Sequence, residues 1–70
     1  MNRDEHLAWC KRRAFEYVEI GDVQGAITSL MSDLTKHDET MPSQRQMRLS
    51  MAVQLANSPD AAREFIRGIR

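Results

Sequence analysis

Between Leu7 and Leu34 the apolar positions fall into two helical rows separated by Gly21-Asp22. In the first row Leu7, Ala14 and Val18 recur at i, i+7 and i+11, widened by Ala8, Cys10 and Phe15. In the second, Val23, Ile27, Leu30 and Leu34 recur at i, i+4, i+7 and i+11, with Ala26 and Met31 beside them. Gly21 suits the left-handed conformation that ends a helix, and Asp22 is a good cap for the next one. Two apolar stripes joined by so tight a turn face each other. The pattern predicts an antiparallel hairpin of helices over about 3–20 and 22–36, with Asn2 and Glu5 at capping-box spacing at its start.

A loop over 37–43 precedes a third helix over about 44–56, for which Thr40 or Ser43 is a candidate cap. That helix carries two apolar rows, one of Met47, Met51 and Leu55, the other of Leu49, Ala52, Val53 and Ala56. A helix with two such rows needs two neighbours: one row for the hairpin, the other for helix 4 of the same chain or for a partner, to which adaptable methionines are suited. Asn57-Ser58-Pro59 reads as a stop, a cap and a first helical residue. A fourth helix then runs over about 59–67, with Ala62, Phe65, Ile66 and Ile69 giving its apolar face and Gly68 expected to break it. The expected fold is all-α, a small helical bundle in a single domain over 1–70.

Trp9 departs from this scheme. At about 100° per residue it falls opposite Leu7, among Glu5, Arg12, Arg13 and Glu16, with Ile20 further along the same side. Either a later helix covers the indole or the face is intermolecular, since tryptophan beside arginine is a composition enriched where binding energy concentrates. Trp9, Arg12, Arg13, Ile20, Met47, Met51 and Leu55 are therefore the candidate interface residues. Gly25, in the first turn of the second helix, suggests close approach of the first. Ser29, Ser32, Asp33 and Thr35 give the second helix a polar side expected to face water.

Size and charge narrow the classes. A chain of 70 residues supports a core worth only about 3–5 kcal/mol, so a homo-oligomer is expected. Ten basic residues balance ten acidic ones, which argues against nucleic acid as the partner. No apolar run reaches the roughly 18 residues of a membrane span, and the single cysteine fits a reducing cytoplasm. His6 and Cys10, at i and i+4, could place two metal ligands side by side, but no second pair completes a tetrahedral site. They read as a structural histidine and a core cysteine. Neither a catalytic constellation, a cofactor motif nor a metal site emerges, so a non-enzymatic protein is expected. Lys11-Arg12-Arg13 near Trp9 and Tyr17 has the mixture that grips phosphates, interleaved with acids that suggest a solvated face. Lys11, Arg63, Arg67 and Arg70 are the candidate contacts for an anionic ligand, and subunits brought together could pool them around a small nucleotide.

Two resemblances follow from these residues. Ala14-Phe15-Glu16-Tyr17, Gly21-Asp22, Ala26-Ile27 and Leu30 resemble one tetratricopeptide unit, with Asp33 and Asp38 standing where that pattern favours alanine and proline. More of the chain is similar to a family of very short proteins encoded by tailed bacteriophages. The likeness lies in Arg3-Asp4-Glu5-His6-Leu7, Trp9-Cys10-Lys11, Arg13-Ala14, Glu16-Tyr17, Gly21-Asp22, Ser32-Asp33-Leu34, Lys36-His37, Glu39-Thr40 and the ending Arg63-Glu64-Phe65-Ile66. Asp38 and Arg67 depart from it, where the family favours proline and an acid. The resemblance implies a phage-encoded accessory protein in the cytoplasm of a bacterial host. The expected action is stoichiometric binding that inhibits or redirects a host component, such as a defence protein or a nucleotide signal. A nucleic-acid-binding regulator and a virion or assembly component are the alternatives.

Overall fold

Local chemistry fixes where each helix begins and ends. In the computed structural model, which describes residues 2–70, helix α1 spans Arg3–Glu19, α2 Val23–Leu34, α3 Gln44–Ala56 and α4 Pro59–Gly68. The fold is all-α. Asn2 and Glu5 close a reciprocal capping box on α1, and Ser43 and Gln46 close a second on α3. Gly21 takes φ +84° in the turn between α1 and α2, and the Asp22 side chain accepts from the Gly25 amide. Asn57, at φ 51°, closes α3, while Ser58 caps α4 with Pro59 in its first turn. The expected loop contains a short 3-10 turn, Asp38–Thr40. Asp22 stands outside α2 as its cap, and α2 stops at Leu34 rather than 36.

The α1–α2 hairpin is the central unit, and α3 and α4 lie against it, each touching α2 and the other, with α4 also on α1. Eleven buried apolar residues form the core: Cys10, Ala14 and Val18 of α1, five residues of α2, and three at and after α4. Val23, Ala26, Ile27, Leu30 and Leu34 are the α2 members; Ala62, Ile66 and Ile69 complete the set. None comes from α3.

Three expectations are corrected. Ala14, Val18 and Cys10 are buried as expected, but the first buried residue of that line is His6 rather than Leu7, which is half-buried, and Ala8 is exposed. Asp33 is not on a watered face but 2% exposed. Gly25 does not serve the approach of α1: a Cβ there would meet the carboxylate of Asp22, 2.6 Å from its Cγ. The glycine makes room for the cap of its own helix. Gly25→Ala should thus gain about 1 kcal/mol of helix propensity and lose a cap worth about 0.5–2 kcal/mol. The expected result in chemical denaturation is a small net change in the wild-type background and a clear gain of about 1 kcal/mol beside Asp22→Ala. Equal gains in both backgrounds would remove the cap from the explanation.

Candidate functional site

The end of α2 that approaches α1 is built from polar groups brought inward. A helix leaves its last carbonyls without intrahelical partners. Here the Leu34 carbonyl accepts from the Thr40 hydroxyl at 2.7 Å, and the Asp33 carbonyl lies 2.9 Å from His6 Nε2. A carbonyl only accepts, so His6 Nε2 carries the proton; Cys10 Sγ, 3.5 Å from the same nitrogen, is a weak acceptor beside it. His6, 8% exposed, stacks on Trp9 at 5.9 Å and on His37 at 5.4 Å between ring centroids. The sequence-level view of His6 and Cys10 as core residues describes where they sit. Among the described residues, no three of His, Cys, Asp and Glu converge to hold a metal ion.

The Asp33 carboxylate is the hub of this end. Arg13 Nε donates to it at 2.9 Å, Lys36 Nζ at 3.0 Å and the Ser29 hydroxyl at 3.4 Å. Burial pushes the acid up, but hydrogen bonds from Lys36 and Arg13 and their charges outweigh it and hold Asp33 below its ordinary value. Burial, then the Asp33 charge, raises the Cys10 thiol, which makes it a poor nucleophile. The Arg13 guanidinium lies 4.9 Å from the Trp9 ring centroid and Lys36 Nζ 5.8 Å. Trp9 is half-buried against the core, with these two cations and His6 about its ring. Arg13 is engaged with Asp33 and Trp9, whereas Arg12, the residue before it, is exposed. A shallow polar groove of about 460 Å³ runs beside Arg13, Tyr17, Ser29, Ser32 and Lys36, and both its cations already serve Asp33.

The remaining candidates fall into three places. Ile20, 77% exposed, borders a shallow depression with Glu16 and Tyr17 at the far end of α1. Lys11 Nζ donates to the Arg67 carbonyl at 3.2 Å, and Lys11 is lowered by burial and by the charge of Arg70. Lys11 and Arg70 thus come together at the carboxyl end of α4, where Arg67 contributes its carbonyl, while Arg63 pairs with Asp60 at 3.2 Å one turn back. On α3 the inward line runs through Gln46, Ser50, Val53 and Gln54, of which only Ser50 is fully buried. Neither apolar row of α3 is covered by the chain: Met47 is 47%, Met51 62%, Leu55 87% and Leu49 44% exposed, and Val53 alone packs on the core.

Two features escaped the sequence reading. Lys36 as a partner of Trp9 and Asp33 required the path of the chain after α2. Leu49 as part of an exposed surface required knowing which side of α3 faces in. Comparison with protein-family models, with curated proteins and with solved structures finds no match to this chain.

Proposed function

We propose that this is a small phage-encoded accessory protein that works by stoichiometric binding, inhibiting or redirecting a component of its bacterial host, with a defence pathway as the natural target. One observation carries the binding mode: α3 turns Met51, Ala52 and Leu55 outward, and an apolar helix face of this kind marks a contact surface. The likeness of Arg3 to Leu7, Trp9 to Lys11 and Ser32 to Leu34 to short tailed-phage proteins supports the phage origin. A second reading, capture of a small nucleotide, is favoured by the approach of Lys11 and Arg70.

Native mass spectrometry of the full chain, before and after incubation with host lysate, tests both. The first reading expects a host polypeptide that is retained at fixed stoichiometry and lost with Leu55→Glu. The second expects a small added mass that survives Leu55→Glu and disappears with Lys11→Glu. Retention of nucleic acid alone, with affinity falling steeply as salt rises, would replace both with a nucleic-acid regulator. An unchanged mass spectrum would overturn the proposal.

A further inference from the structure

We propose that the outer face of α3 is the interface of a symmetric homodimer, in which a second copy lays its own α3 antiparallel across Met51, Ala52 and Leu55. This rests on α3 being a contact surface and names its first occupant; the host component then binds across the assembled seam, so that substitution of Leu55 disturbs both.

The first argument is the state of α3 in a single chain. It is a helix of 13 residues, a length at which an isolated helix is marginal in water. Such a helix is ordinarily held by an amphipathic face, yet α3 supplies none of the fully buried apolar residues. Its attachments are half-buried Val53, the Gln54 amide donating to Thr28 Oγ1 at 3.3 Å, and Ser50, whose hydroxyl donates to its own helix at the Met47 carbonyl. Its larger apolar side chains point away from the body that should support it. A helix that is always present needs a cover that is always present, and a second copy is the one partner whose supply matches its own.

Charge selects the orientation. No carboxylate occurs on α3, which carries Arg45 and Arg48 in its amino-terminal half and has no basic residue in its last turn. A parallel copy would set Arg45 and Arg48 against themselves. An antiparallel copy centred between Met51 and Ala52 sets Arg48 beside Leu55 of the second copy and brings Arg45 to the carboxyl end of the second α3. Cations are favoured there by the helix dipole, and the exposed Asp60 carboxylate follows two residues after the Ser58 cap. The arginine stems cover apolar surface while their charged ends reach that acid. Met47 borders this seam, and Leu49, on the other flank, continues into a groove of about 370 Å³ floored by Phe65 and Ile69. The same patch meets itself about a two-fold axis, so association closes at two subunits.

Sedimentation velocity on the full chain over a range of concentrations is the test. Wild type is expected to sediment as a particle of twice 8.1 kDa at micromolar concentration. Leu55→Arg and the milder Leu55→Gln should each weaken the dimer, the former by about 100-fold or more, because the new guanidinium is buried beside Arg48 of the second copy. Arg45→Glu and Asp60→Arg should each weaken it and the double variant restore it. Under oxidation, Ala52→Cys should cross-link to its own copy, since Cys10 is buried and does not compete. Amide exchange in α3 should slow as protein concentration rises, a readout that holds even for variants that fold poorly. A wild type that stays monomeric at hundreds of micromolar overturns the dimer, as does a dimer indifferent to Leu55→Arg. A monomer that instead takes up an acidic amphipathic peptide on α3 overturns it while leaving the binding reading intact; a dimer that captures nothing from host lysate does the reverse.

Discussion

Ile27→Ala is expected to leave the chain largely unfolded at 25 °C. Ile27 is fully buried in the middle of α2, the helix that touches every other one. Removing its branched side chain there leaves a cavity whose lining comes from several elements, and such truncations cost about 2–5 kcal/mol. A domain of this size has about 3–5 kcal/mol in total. The loss is therefore comparable with the whole stability, and far-UV circular dichroism with urea titration should show little cooperative transition. Leu55→Ala, measured below the concentration at which chains associate, should stay within about 0.5 kcal/mol of wild type because Leu55 touches almost nothing in its own fold. A cooperative Ile27→Ala variant within 1 kcal/mol of wild type would mean that the core is not organised on α2.

The contrast between these two residues also separates what the sequence could say from what it could not. Helix ends were legible because a cap is decided by its own few residues: Asn2 with Glu5, Gly21 with Asp22, and Asn57-Ser58-Pro59 each satisfy backbone groups locally. The α2 face was legible because Val23, Ile27, Leu30 and Leu34 leave only one direction for the core. On α1 only the first turn was misassigned, because hydropathy ranks Leu7 above His6, whereas a histidine that donates to a carbonyl across the hairpin is satisfied when buried. On α3 apolar residues stand on both sides of a narrow polar line, so periodicity alone assigned no inward face. The structure turns that polar line inward: Ser50 satisfies its hydroxyl on its own helix, and its small size admits close approach to neighbours. The candidate site follows the same division. Exposed Met51 and Leu55 were visible as a row, but that the row lies on the outside depends on the path of the chain through residues 35–43.

Asp33 should show the second large effect, and its sign is fixed by the groups around it. Asp33→Asn keeps the shape of a side chain that is 2% exposed but removes the charge held by Arg13 and Lys36. Breaking a buried ion pair from one side costs about 3–5 kcal/mol when the partner is stranded. Here Arg13 and Lys36 are half-exposed and regain water, so about 2 kcal/mol is expected, read as a lower urea midpoint at neutral pH. Arg13→Met should cost less and Lys36→Met least, in order of increasing exposure of the cation. The folded Asp33 lies below its ordinary value, so the unfolded chain takes up the proton first as pH falls. The contribution of the carboxylate is thus complete above an unfolded value of about 3.9 and is lost as pH drops through the lower folded one. The stability difference between wild type and Asp33→Asn should be flat from pH 7 to about 5 and shrink below about 4. A difference that grows with acidification would mean that the buried carboxylate is held up by burial rather than down by its cations. Because the same two cations lie over Trp9, Asp33→Asn should also change the tryptophan fluorescence of the folded protein, tying the buried acid to the one indole that the hairpin half-covers.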